Sequence, residues 1–219
     1  MSPSTVPSCD LNVRRVSSVN EPAFDALIAI YTEAHAPSER KSPAQLASML
    51  QQPGYSFLVA NESNTVVGFS IVRLLAGSDA ALLEYLAVAR DCRSRGIGQQ
   101  LFVETVNFEA VSSRFLLVEV DSDKTRTADH EDRLRRKRFY RGLGCREIDQ
   151  LHYIMPPVST APPPAMDMLV YRRYLPHHID KARVRQWLEC CYVDVYGMPA
   201  NDLRIDVMVH ELPENVRLI

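Results

Sequence analysis

The stretch LLEYLAVARDCRSRGIGQQLFVETVNF, Leu82 to Phe108, limits what this chain can fold into more than any other. Leu82 to Val88 is apolar and branched apart from Glu84, as expected of a buried strand. A short charged turn follows, Ala89 to Arg95. Arg93-Ser94-Arg95-Gly96-Ile97-Gly98 then leads into a helical period. Leu101, Thr105 and Phe108 fall at i, i+4 and i+7, and Phe102 and Val106 widen the stripe. The unit is strand, glycine-bearing loop, helix. Its two glycines let backbone approach a ligand closely, and the N–H groups that open a helix favour an anion. The stretch therefore reads as a site for a pyrophosphate.

A length of 219 residues admits one or two domains, with enough apolar material for a sizeable core. The net charge of −2 makes no electrostatic case for nucleic acid or an anionic membrane surface. No apolar run approaches the length that spans a bilayer. The opening residues, MSPSTVPSCD, lack the basic and apolar regions of a secretory signal and read as a mobile leader over 1–10. Five cysteines, Cys9, Cys92, Cys145, Cys190 and Cys191, without framework or C-x-x-C spacing indicate free thiols, a reducing, cytoplasmic setting and no metal site.

Taken in order, Leu11 to Ser18 reads as a first strand. A helix starts after Asn20, taken as its N-cap, with Phe24, Leu27, Ile28 and Tyr31 on its apolar face. A second helix starts at Ser42-Pro43. Two strands, about Ser56 to Asn61 and Val66 to Leu75, form a hairpin across Glu62 to Thr65. Phe115 to Val120 is a further strand, joined to Leu82–Val88 through a helix and hence parallel to it. Arg133 to Leu143 is helical, and its six basic residues are expected on a solvated face. Cys145 to Met155 reads as a strand. The proline-rich segment 156–165 is a linker, Met166 to Tyr171 a short strand, Ile179 to Tyr196 a strong helix and Leu203 to His210 a late strand. These elements predict an α/β fold: a domain over 11–155 with a mixed, mostly antiparallel sheet flanked by helices, and a C-terminal strand-helix extension over 166–219 packed on it.

The loop is not a P-loop, since G-x-x-x-x-G-K-[ST] is absent, and it lacks the third glycine of a dinucleotide fingerprint, Leu101 standing there. Arg93, Gly96 and Gly98 instead match [RQ]-x-x-G-x-[GA], and Leu86-Ala87-Val88 precede it. Further on, Phe139-Tyr140-Arg141-Gly142-Leu143-Gly144-Cys145 is similar to an F-Y-x-x-L-G-F segment. Together these resemble the GNAT superfamily of acyl-CoA-dependent N-acetyltransferases over roughly Leu11 to Met155.

The resemblance implies a set of roles. Leu86, Ala87 and Val88 would pair with the pantetheine arm of acetyl-CoA. The amides of Ser94, Arg95, Gly96, Ile97, Gly98 and Gln99 would hold its pyrophosphate, with Arg93 and Arg95 at hand. Tyr140 would donate a proton to the departing thiolate. Where many relatives carry a cofactor-contacting asparagine, this chain has Arg133. Glu119 is similar to the general base of ribosomal-protein acetyltransferases in this family, and Glu84 is a second carboxylate on a strand near the reaction centre. A water chain is the alternative to either. The link between the first two helices walls the family's acceptor pocket, and here Glu39 and Arg40 are the substrate-binding residues expected from it. The function implied is transfer of an acetyl group to a primary amine of a small-molecule or amino-acid-like acceptor by direct attack in a ternary complex. The alternatives are a non-catalytic acyl-CoA sensor and an acyltransferase using a longer chain. Trp187, Tyr192 and Tyr196 on the last strong helix fit core or homodimer packing.

Overall fold

The computed structural model describes residues 11–35, 40–124, 127–157 and 163–219. The expected leader and Glu39 lie outside the described residues, as does the middle of the proline-rich segment. In chain order the elements are β1 (Leu11–Val16), α1 (Pro22–Ala34), α2 (Pro43–Gln51), β2 (Tyr55–Glu62), β3 (Thr65–Leu74) and β4 (Ala80–Val88). A 3-10 turn (Arg90–Cys92) leads to α3 (Ile97–Asn107), β5 (Phe115–Asp121), α4 (His130–Gly142), β6 (Arg146–Glu147) and β7 (Met166–Tyr171). Then come β8 (His178–Asp180), α5 (Lys181–Asp194), α6 (Leu203–His210) and β9 (Asn215–Arg217). Seven strands form a mostly antiparallel sheet in the order β1-β2-β3-β4-β5-β7-β6, and β8 and β9 form a separate pair. The chain divides into two compact units, one of Met1–Gln51, Ser56–Ile71 and Tyr85–Thr105, the other of Gln52–Tyr55, Val72–Glu84 and Val106–Ile219.

In the first unit β1 runs antiparallel to β2, from Leu11 opposite Glu62 to Val16 opposite Phe57. The hairpin after β2 turns on Ser63 and Asn64, both left-handed (φ 48° and 67°), the pattern that matches strand twist in two-residue turns. Glu21, not Asn20, occupies the cap position of α1. Its carboxylate turns back to accept from the amides of Ser17 and Ser18 and to meet Arg14, so it ties the strand end to the helix start. At α2 the serine cap is reciprocal. Ser42 Oγ accepts from the Gln45 amide (3.2 Å) and Gln45 Oε1 accepts from the Ser42 amide (2.7 Å). Ile97 and Leu101 of α3 pack with Ala60 and Val67. Gly68 makes that approach possible, since a Cβ there would lie 3.0 Å from the Ala87 carbonyl oxygen and 3.5 Å from Leu101.

In the second unit β4 and β5 are parallel, Ala80 opposite Phe115 through Leu83 opposite Val118. β7 runs antiparallel to β5 over six residues, and β6 adds to its other edge. α5 buries Val184, Trp187, Leu188 and Cys191 on one helical face, but starts at Lys181 because Ile179 belongs to β8. Two expectations are corrected. Leu203 to His210 is a helix. Its alternation fits a strand, but Ile205, Met208 and Val209 bury one helical face while Leu203 and Val207 stay exposed, and the Asp202 carboxylate caps the Arg204 amide. Cys145 to Met155 is strand only at Arg146–Glu147. Gln150 is left-handed (φ 62°), and the backbone of Glu147 and Asp149 bonds to the chain end at Ile219 and Arg217.

Candidate active site

The glycine loop belongs to the first unit. Ser94 and Gly96 are left-handed (φ 61° and 81°), so the backbone twists twice before α3 begins. The Gly96 carbonyl accepts the Gln100 amide (3.0 Å), which makes Gly96 the residue that opens the helix. The amides of Ile97, Gly98 and Gln99 then have no acceptor within the helix. A Cβ on Gly96 would meet nothing within 4 Å, so the loop faces open space there. Successive amides in such a twisted turn, at a helix start, make a concavity for an anion. Upstream, β4 ends with Leu86 and Val88 half-buried and Ala87 buried. Arg93 Nε donates to the Val88 carbonyl (3.1 Å), holding the loop to the strand end. Arg95 makes a two-fold pair with Glu62 (3.1 and 2.5 Å) and braces the loop against the β2 hairpin.

Near the link between α1 and α2, Tyr31, His35 and Tyr85 form an aromatic group, Tyr85 standing edge-on to both other rings. Lys41 Nζ donates to the Tyr85 hydroxyl (3.0 Å), and its amide to the Tyr31 hydroxyl (2.8 Å). Arg40 is exposed, its Nε on the His35 carbonyl (2.6 Å). Burial raises the Tyr31 phenol far above its usual range.

The carboxylates lie in the second unit. The last registered pair of β4 and β5 is Leu83 opposite Val118, and the next residue on each strand is a glutamate, Glu84 and Glu119. Burial is the main cause that lifts the Cys191 thiol on α5, and the charges of both glutamates add to it, so both bear on one point. The Tyr55 hydroxyl donates to Glu84 Oε1 (2.6 Å). Glu119 is held twice. Tyr153 donates to Oε1 through a short hydrogen bond, and Tyr196 to Oε2 (2.6 Å). Burial, then the Glu119 charge, pushes both phenols well above their ordinary range, so they stay protonated and remain donors. Opposite Glu119 on β7 stands Met168, part of the core beneath α5 and α6. Its neighbour Asp167 points the other way, to Lys137 of α4. Glu119 thus faces the α5 side of its strands.

On α4, Tyr140 is buried, 7% exposed, with Phe139 edge-on at 5.1 Å. Burial raises its phenol far above the usual range despite Arg136. The six basic residues are not all on a solvated face. Lys137 is 3% exposed and meets Asp123, Glu147 and Asp167 at 2.7, 2.8 and 2.7 Å. Lys124 and Arg141 close the network on the same carboxylates. Spacing along one helix cannot report this, because the acids come from β6, β7 and the loop after β5. Arg133 pairs with Asp129 at 2.9 Å.

Residues 53–146 match the family model described as "Acetyltransferase (GNAT) domain". Over that stretch the chain is similar to GNAT acetyltransferase domains. The fold agrees: a GNAT-family protein from Bacteroides thetaiotaomicron superposes with a TM-score of 0.70 at 16% identity, over 85% of this chain and 99% of that one. The ribosomal-protein-S18-alanine N-acetyltransferase from Escherichia coli gives a TM-score of 0.54 at 19% identity, over 76% of this chain and 96% of that one. No curated protein matches. The matched GNAT region holds the glycine loop, Glu84, Glu119 and Tyr140, whereas Tyr153 and Tyr196 lie beyond it. Sequence reasoning missed Tyr55, Tyr153 and Tyr196. The one available signal, Tyr196 just past an amphipathic helix, does not say which side chain it meets. Among the described residues no helix is long and apolar enough to cross a membrane, and no three His, Cys, Asp or Glu side chains are grouped to hold a metal ion.

Proposed function

We propose that this GNAT domain transfers an acetyl group from acetyl-CoA to a primary amine of a small-molecule or amino-acid-like acceptor. The observation that carries the donor side is the twice left-handed loop with open space over Gly96 at the start of α3. Those amides suit a pyrophosphate, and Leu86 to Val88 offer strand backbone to the pantetheine amides. A backbone N–H of the same segment would polarise the thioester carbonyl. Glu119 takes the proton from the attacking amine, and Glu84 beside it is the second carboxylate suited to that task. Tyr140, kept protonated by burial, gives its proton to the CoA thiolate as it leaves. Arg40, with Glu39, is assigned to the acceptor.

The test is two-armed. Thermal-shift titration with CoA, acetyl-CoA and longer acyl-CoAs reads the donor, and thiol release over a panel of primary amines reads the reaction. Stabilisation by acetyl-CoA together with turnover of at least one amine is the expected result. Stabilisation without turnover of any amine would leave a CoA-binding module, and stronger turnover with a longer acyl-CoA would reassign the donor.

A further inference from the structure

Glu119 is a side chain whose last torsion is soft, and a base that swings is a poor one. Here each oxygen is taken by a different phenol, Tyr153 from the segment after β6 and Tyr196 from the turn after α5. A carboxylate has about four acceptor sites. One phenol bonds to each oxygen, so the two together restrain that torsion. Further groups lie around Glu119. Glu84 stands on the neighbouring strand with Tyr55 bonded to it, Cys191 and Tyr192 come from α5, and Met168 is opposite on β7. Tyr192 is itself placed, its hydroxyl on the Ile154 carbonyl, with Arg204 over its ring at 5.3 Å and Asp202 on Arg204.

We propose that Tyr196 is the positioning residue for Glu119: from beyond the matched GNAT region it pins one carboxylate oxygen while Tyr153 pins the other, fixing the direction in which the base meets its amine. The C-terminal segment is then part of the acceptor-side machinery. This rests on the reading of Glu119 as general base.

The experiment is a carbon-13 titration of the Glu119 carboxyl in the full chain, assigned by its loss in Glu119→Gln, run beside the pH profile of kcat/KM for thiol release. Tyr196→Phe keeps the ring and removes one hydrogen bond to the ionised form. It should raise the Glu119 midpoint by about one pH unit and move the acid limb of kcat/KM up by the same amount. Tyr153→Phe should do likewise and carries the test if Tyr196→Phe does not fold. Tyr174→Phe, 85% exposed, should change neither reading. An unmoved midpoint in a folded Tyr196→Phe overturns the proposal, whatever the activity. A midpoint that moves without the acid limb overturns the positioning role, since Glu119 is then not the base. A midpoint that moves in a protein that turns over no amine upholds the hold on Glu119 and overturns the N-acetyltransferase reading instead.

Discussion

The loop before α3 and the carboxylate cluster on β4 and β5 are built from different materials. The loop is backbone: two left-handed residues, Ser94 and Gly96, and a helix start, within a few consecutive positions. The cluster is side chain: Glu84, Glu119, Tyr55, Tyr153 and Tyr196, spread over more than half the chain. A few neighbouring residues specify the first. The second exists only if several strands and a helix arrive together. Damage to the loop should therefore act on ligand affinity with the fold intact, whereas damage among the side chains of the second unit should reach stability or the chemical step.

The strongest way to press this contrast is Lys137→Met. It leaves Asp123, Glu147 and Asp167 crowded without the buried ammonium between them and should destabilise by about 3–5 kcal/mol in urea unfolding. A loss below 1 kcal/mol would mean that Lys124 and Arg141 suffice. The same network sets a pH dependence. Burial would raise Asp123 and Asp167, but the lysine hydrogen bonds outweigh it and hold both below their usual 3.8. Their stabilisation is complete above that value and is lost as pH falls through the depressed folded pKa. Lys124 and Lys137, where the same partners outweigh burial, are raised above 10.5, so their share is lost only as pH rises beyond it. Unfolding free energy should drop steeply below about pH 4, and less steeply in Lys137→Met.

Next in size is Glu119→Gln, expected to lower kcat by about a hundredfold or more with CoA affinity retained. A normal rate would transfer the base role to Glu84 or to water. Tyr140→Phe should lower kcat roughly tenfold or more as a general acid is lost. An unchanged rate with the same melting temperature would remove that role. The mildest change to the fold is Gly96→Ala. Its φ of 81° disfavours an L residue by about 1 kcal/mol, and no neighbour stands within 4 Å. It should weaken CoA roughly tenfold by displacing amides from a charged ligand, with kcat at saturation kept. If it unfolds the protein instead, the contrast between the two regions fails.

Local chemistry made much of the molecule legible in advance. The Leu82–Phe108 unit, the parallel relation of β4 and β5, the start of α2 at Ser42-Pro43 and the strong helix at α5 each depend on residues near one another in the chain. Errors fell where two periods compete or where a partner is distant. Leu203 to His210 alternates like a strand, and the cap at Asp202 with burial of Ile205, Met208 and Val209 decides for a helix. Cys145 to Met155 has strand composition, but its backbone partners are the last residues of the chain.

By itself the sequence determined the α/β fold and the glycine turn into a helix at Gly96, because a helix start and a left-handed glycine are properties of a few adjacent residues. Only the tertiary structure decided that Lys137 would be buried among three carboxylates, and that tyrosines 55, 153 and 196 would hold the two glutamates. A charge is tolerated inside, and a carboxylate is aimed, only through partners that distant segments bring within hydrogen-bond reach.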